Sequence, residues 1–280
     1  MTLTAQDVPV SVVAFIGGGN MARSLIGGLL ARGQPPAAIH VADPSEQARN
    51  ALHDDFGVRV FADAADAVAG ADAWVLAVKP QVMREVCRTL APLAAQQRPL
   101  AVSIAAGITS GQLQRWLGDG AAVVRTMPNT PSLLGAGVTG LYAGDDVDAD
   151  GRALAQRLLE SAGTTVWIED EALMDAVTAV SGSGPAYVFL LAEAMQDAGR
   201  AEGLDAAAAR ELTLQTLLGA ARMLVESDVD AAELRRRVTS PGGTTQAAIE
   251  HFEHGGLRTL VAGAIHAARK RGAELSAAQD

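Results

Sequence analysis

Gly17-Gly18-Gly19-Asn20-Met21-Ala22 follows directly on the apolar run Ser11 to Ile16 and opens a segment rich in Ala and Leu. The spacing is G-x-G-x-x-[GA]. Each small residue has its own task. Gly17 permits a tight turn, Gly19 lets the backbone approach a pyrophosphate with no Cβ between, and Ala22 keeps the helix close to the strand. A helix start also offers unpaired N–H groups and a partial positive charge. The chemistry predicted here is capture of a dinucleotide, with Ile16 ending the strand beneath it. Asp43 closes the next apolar run, 24 residues beyond Gly19. A carboxylate there either accepts from ribose hydroxyls and repels a 2′-phosphate, which favours NADH over NADPH, or belongs to a helix start capped by Asp43 or Ser45.

Further along the first half, Ala77-Val78-Lys79-Pro80 ends a buried run at a proline that cannot continue a central ladder. Ser103 to Gly107 and Met127-Pro128-Asn129-Thr130 leave their own runs in the same way. In a doubly wound sheet these exits share one edge, where the ligand crevice lies. Lys79 there either lines the cofactor or is a solvated lysine. Asn129 and Thr130 either hydrogen-bond a carboxamide or ribose or serve as turn formers. In the second half, Ser181-Gly182-Ser183-Gly184-Pro185-Ala186-Tyr187 and Ser240-Pro241-Gly242-Gly243-Thr244-Thr245 each feed a helix. The second presents several N–H donors and a hydroxyl to one point, as a carboxylate-binding nest does; the plain alternative is a capped turn.

The elements that must position these residues read as follows. Apolar runs at 11–17, 38–43, 73–79, 100–107 and 122–127 alternate with helical patterns at 21–32, 45–55, 82–93 and 112–117. The last opens with Thr109-x-x-Gln112, a capping box. Such alternation predicts an α/β Rossmann domain with a doubly wound, mostly parallel sheet. Residues 141–144 and 164–168 read as late strands on its edge. After about residue 170 only helical spacing continues, including 185–201 and 206–227. We therefore expect residues 1–170 to form the dinucleotide-binding domain and 171–280 an all-α substrate and dimerisation domain. The apolar excess of the later helices points to burial against a second subunit.

With 280 residues, 49% hydrophobic, the chain can build a large core, and its net charge of -10 argues against nucleic acid as a partner. A single cysteine, Cys87, excludes an intrachain disulfide and suits a reducing compartment. The start lacks the basic flank and apolar block of a signal peptide, and AYVFLLAEAM is too short to span a bilayer, so a cytoplasmic protein is expected. No metal-ligand spacing is present. His251, His254 and His266 read as surface or packing residues, and Arg235 to Arg237 as a solvated face.

FIGGGNMA, AVKP, SIAAGI, RTMPNTP, DAVTAVSGSGPAY and SPGGTTQAAIE, in this order and spread over residues 11–275, resemble pyrroline-5-carboxylate reductase. The resemblance implies hydride transfer from NADPH or NADH to the C=N bond of 1-pyrroline-5-carboxylate, giving L-proline, the last step of proline biosynthesis. It also implies a Rossmann domain followed by a helical domain that intertwines two subunits, as a homodimer or a dimer-based ring. By the same token Gly17 to Ala22 would hold the pyrophosphate, with Ala77 to Pro80 and Ala105-Ala106-Gly107 along the dinucleotide. Ser240, Gly242, Gly243, Thr244 and Thr245 would meet the substrate, Thr245 as the group that hydrogen-bonds the ring nitrogen and relays its proton. Glu171 falls where the family has an acidic residue near the imino acid. Asp43 departs from the small hydroxyl residue of many relatives, which sets their frequent preference for NADPH in question here. Two other readings use the same motifs: a non-catalytic protein that binds a dinucleotide or imino acid, and a β-hydroxyacid-dehydrogenase-like oxidoreductase. The second needs a lysine on an interdomain helix, and none occurs between Lys79 and Lys270.

Overall fold

A computed structural model describes residues 11–278. Its centre is one eight-stranded sheet in the order β3-β2-β1-β4-β5-β6-β7-β8. β1 (Val13–Ile16) runs into α1 (Asn20–Ala31), β2 (Ile39–Ala42) into α2 (Glu46–Phe56), and β3 (Arg59–Phe61) into α3 (Ala64–Val68). Then come β4 (Ala73–Leu76), α4 (Pro80–Gln97), β5 (Leu100–Ser103), α5 (Ser110–Leu117) and β6 (Val123–Met127). β7 (Gly137–Ala143), α6 (Ala149–Glu160) and β8 (Gly163–Trp167) complete the sheet. β1 to β6 are parallel, β7 joins β6 antiparallel, and β8 is parallel to β7.

The predicted doubly wound sheet is thus present. Its central strands are continuous apolar runs because both faces are covered. All four residues of β1, β2, β4 and β5 are buried. On one face Phe15, Ile26, Val41, Val75, Val102 and Leu158 share a core; on the other Trp74, Leu76, Met83, Leu90, Ile108 and Trp116 do. Gly28 lets α1 lie tightly here: a Cβ on it would stand 2.0 Å from the Ser161 carbonyl oxygen.

Several elements differ from expectation. β3 and α3 carry no strong signal, since β3 is three half-exposed residues on the sheet's edge. α4 starts two residues earlier than its periodicity, at Pro80, because proline's fixed φ suits the first helical position. The strand expected at 141–144 begins at Gly137. The capping box is present: the Thr109 side chain accepts from Gln112 N, and the Gln112 side chain from Thr109 N.

Compactness divides the chain into two units. One runs to Ser183 and takes in the chain again from Ala268; the other is Gly184–Ala267. α7 (Met174–Val177) and a π-helical stretch, Thr178–Gly182, close the first stretch. The second unit holds α8 (Gly184–Ala201), α9 (Ala206–Glu226), α10 (Ala231–Arg237), α11 (Thr244–His254) and most of α12 (Leu257–Ala277). Asp205 and Asp230 cap α9 and α10 through their side chains. This helical unit has almost no interior of its own. Among its residues only Ala192, Ala209 and Thr213 are buried, while Phe189 is 67%, Leu190 66% and Val225 85% exposed. No helix of the described residues is long and apolar enough to cross a membrane.

Candidate functional site

The glycine turn at the carboxyl edge of the sheet has the geometry its spacing predicts. Gly17 has φ +103°, and a Cβ on it would stand 2.7 Å from the Ala77 carbonyl oxygen. The Gly17 N–H donates to Ala42 O at 2.8 Å, so the turn is tied to β2 as well as pressed against the end of β4. A Cβ on Gly19 would meet nothing within 4 Å, which leaves room for a ligand beside the backbone. Gly19 is also the N-cap of α1, and no side chain caps that helix. Its first N–H groups and the positive end of its dipole remain for an anion. Ala22 is buried against the sheet. On these observations the residues present fit a dinucleotide pyrophosphate.

Asp43 stands beside this turn. Its Oδ2 accepts from Gly18 N at 2.9 Å and its Oδ1 from Ser45 N at 2.9 Å. Of the two capping alternatives, Ser45 caps α2, its Oγ accepting from Ala48 N. Asp43 therefore keeps its carboxylate at the glycine turn. Arg49, which the sequence reading passed over, donates from its guanidinium to the Asp43 and Pro44 carbonyl oxygens at 2.8 and 3.0 Å. A cation is thus bound to the backbone at the end of β2. The signal for it was an arginine in the first turn of the helix that follows the strand.

Ala77 and Val78 are half-buried on the same edge, and exposed Lys79 is the N-cap of α4, with Pro80 next. In the loop after β5, Ala105 is buried, Ala106 exposed, and Gly107 has φ +73°.

Asn129 is at the same edge but is engaged internally. Its Oδ1 accepts from Val138 N at 3.0 Å, and its Nδ2 donates to Ser181 O at 3.2 Å. The second bond has a local cause. In a helix the N–H of residue 185 would satisfy the carbonyl of 181, but residue 185 is proline and has none. The asparagine of MPNTP supplies the donor that the proline of SGSGPAY removes. Around it Ser181 and Thr178 bond back to the Val177 and Met174 carbonyls, and Ser183 N reaches Thr178 O to widen the turn to π geometry.

Glu171 also has internal partners. Its Oε1 accepts from Ser110 N at 2.6 Å and Arg125 Nη1 at 3.2 Å, and its Oε2 from Ser110 Oγ at 2.6 Å. Arg125 is 4% exposed and bonds Asp175 as well, at 3.3 Å. Tyr142, opposite Arg125 on β7, has its phenol pushed up by burial and by the charges of Glu171, Asp145 and Asp170. Burial pushes the Cys87 thiol up to about 12, so it is no nucleophile at neutral pH.

The second unit carries the other motif. Gly242 has φ +71°, Gly243 is the N-cap of the eleven-residue α11, and no side chain caps it. Gly242 N donates to Gln246 Oε1 and Gly243 N to Ser240 O, which folds the turn. Thr244 and Thr245 occupy the first helical positions, with Thr245 half-buried and Ser240 exposed. An uncapped helix start carrying two hydroxyls is suited to a carboxylate.

A family model described as pyrroline-5-carboxylate reductase dimerisation matches residues 171–275, and one described as NADP oxidoreductase coenzyme F420-dependent matches residues 12–107. The pyrroline-5-carboxylate reductase of Pseudomonas aeruginosa is 54% identical over 264 residues, 94% of this chain and 96% of that one. The chain belongs to the pyrroline-5-carboxylate reductase family. Among solved structures, that of a pyrroline-5-carboxylate reductase from Coxiella burnetii matches with a TM-score of 0.92 and 43% identity, covering 95% of this chain and 99% of that one. The pyrroline carboxylate reductase of Plasmodium falciparum, with NADP bound, matches with a TM-score of 0.83 and 28% identity, over 95% and 98% of the two chains. The dimerisation model falls on the helices whose apolar side chains are exposed among the described residues, and family membership supplies the reason for that exposure.

Proposed function

We propose that the chain reduces the C=N bond of 1-pyrroline-5-carboxylate to give L-proline, using NADPH or NADH. The observation that carries this reading is a pair of ligand-ready backbone sites in a chain of this family. One is a glycine turn open to a pyrophosphate; the other is an uncapped Gly-Gly-Thr-Thr helix start suited to a carboxylate. Residues 1–170 act as the dinucleotide-binding domain and 171–280 as the substrate and dimerisation domain. The working form is a homodimer or a dimer-based ring in the cytoplasm, with no nucleic acid or membrane partner.

When bound, NAD(P)H supplies the hydride that adds to C5 of the imine. The chain's own residues bind and orient. Gly17 to Ala22 take the pyrophosphate, and Ala77-Val78-Lys79-Pro80, Ala105-Ala106-Gly107 and Asn129 form the edge along the rest of the dinucleotide. Asn129 works there through its backbone position, since its side-chain amide is spoken for. Ser240 and Thr244 take the carboxylate at the start of α11, and Gly242 and Gly243, whose N–H groups fold the turn, place them there. Thr245 hydrogen-bonds the ring nitrogen and holds its proton, because a protonated iminium is the better hydride acceptor. Thr245→Ala is expected to lower kcat/KM for the imino acid by about 10- to 100-fold, the worth of one oriented hydrogen bond. Steady-state kinetics at saturating dinucleotide check this, and an unchanged kcat/KM removes Thr245 from the mechanism.

Asp43 sets the choice of dinucleotide. Two like charges about 4 Å apart near a surface repel by about 4 kcal/mol before salt screening, so its carboxylate disfavours a 2′-phosphate. With Asp43→Ser that repulsion goes and the Arg49 guanidinium remains. The ratio of kcat/KM for NADPH to that for NADH is expected to rise about tenfold or more. Initial rates with both dinucleotides test this together with the activity itself: oxidation that needs pyrroline-5-carboxylate supports the proposal, and a ratio unmoved by the substitution frees Asp43 of this role.

A further inference from the structure

We propose that Glu171 is a positioning residue: with Ser110 it fixes the loop Ala105–Gly107 where that loop meets the dinucleotide. This rests on the reading that the loop lines the cofactor. Both oxygens of Glu171 are taken by the start of α5, one by the Ser110 amide and one by its hydroxyl, each at 2.6 Å. Short charge-assisted bonds of this kind, aimed at the positive end of a helix, are the stronger class of hydrogen bond. Ser110 lies three residues beyond Gly107, so the clamp holds the loop's trailing end. Its leading end is held by Ile104 N on Leu76 O at 3.2 Å and by Thr126 Oγ on Ser103 O at 2.9 Å. Between these anchors Ile108 is buried in the core and Thr109 is held by its capping box, so Ala105 to Gly107 are left to shape a ligand-facing surface.

Glu171 is itself held. Arg125 is a buried cation on β6 and takes Glu171 and Asp175 as its counterions. An unpaired charge there would be costly, so the arginine keeps Glu171 turned toward α5 rather than toward a ligand. The chain's last helical turns close the loop from another side. A Cβ on Gly107 would stand 3.7 Å from Leu275 and Ser276, and Gln112 Nε2 donates to Ser276 O at 3.2 Å. Glu171 lies four residues beyond the end of β8, so the clamp links the segment leaving the sheet to the cofactor loop.

The test is the affinity of the full-length protein for NADH and NADPH, read by nucleotide fluorescence, together with the KM for the imino acid and the melting temperature. Glu171→Ala is expected to weaken dinucleotide binding about tenfold and Ser110→Ala about threefold, with the imino-acid KM unchanged. Glu171→Gln keeps an acceptor for the Ser110 amide and is expected to recover most of the loss. Ser110→Ala leaves the Arg125 pair intact, so it reads the clamp without disturbing the buried charge. A rise in imino-acid KM with unmoved dinucleotide affinity would overturn the proposal, since Glu171 would then touch substrate. No change in either would overturn it too, as would a loss of affinity that only follows a loss of melting temperature. Ala106→Glu separates the two layers. If it leaves dinucleotide affinity alone, the loop does not meet the cofactor and the underlying reading falls. If it weakens binding tenfold while Glu171→Ala and Ser110→Ala do not, that reading stands and the positioning role falls.

Discussion

Leu190→Arg is expected to abolish assembly and, with it, at least 99% of the reductase activity. Leu190 is two-thirds exposed in the single chain, on a helix where Phe189 and Leu191 beside it are exposed as well. The helical unit buries three side chains, too few to fold on. Covering one leucine side chain contributes about 1.5–3 kcal/mol, and a buried unpaired charge costs several more. Together these exceed about 5 kcal/mol, or nearly four orders of magnitude in the dimer dissociation constant. Sedimentation at micromolar concentration is expected to show monomer or aggregate where the parent chain is a dimer or larger. A Leu190→Arg protein that sediments as the parent does, with its kcat/KM intact, would place the subunit interface elsewhere.

Gly17→Ala acts on the dinucleotide site. At φ +103° an L side chain is strained by about 1–3 kcal/mol, and the new Cβ would lie 2.7 Å from the Ala77 carbonyl oxygen. The turn can relieve this only by moving β1's end away from β4's end, which displaces Gly18, Gly19 and the start of α1 together. Dinucleotide affinity is expected to fall by at least about 100-fold, equal to about 2.7 kcal/mol. The melting temperature should drop by several degrees, because the strain is paid in the unbound state as well. Calorimetric titration with NADH and NADPH reads the first effect and a thermal melt the second. Affinity within threefold of the parent would mean that this turn does not carry the pyrophosphate.

How much of this was legible in the residues differs from element to element. β1, β2, β4 and β5 announce themselves because burial on both faces leaves unbroken apolar runs. β3 is three residues long and half-exposed, so neither alternation nor hydropathy marks it. The reversal of β7 is decided by its pairing with β6, which no local pattern encodes. The glycine turn was readable because backbone geometry alone demands small residues there. Asn129 and Glu171 stand out as site residues, but Ser181, which Asn129 bonds, and Ser110, which Glu171 bonds, lie 52 and 61 positions away and only the fold brings them together. A demand was visible all the same: Pro185 strips a donor from the Ser181 carbonyl, and something had to replace it. The exposed helices of the second unit were legible as an excess of apolar side chains that no interior could absorb.

The central claim, that a hydride passes from a dinucleotide to C5 of a five-membered imino acid, is tested most directly by isotope transfer. The chain is incubated with 1-pyrroline-5-carboxylate and dinucleotide deuterated at nicotinamide C4, and the product is read by mass spectrometry and NMR. Proline carrying one deuterium at C5, formed mole for mole with the dinucleotide oxidised, is the expected product. Dinucleotide that binds but is not consumed, or is consumed without deuterated proline, would contradict the claim.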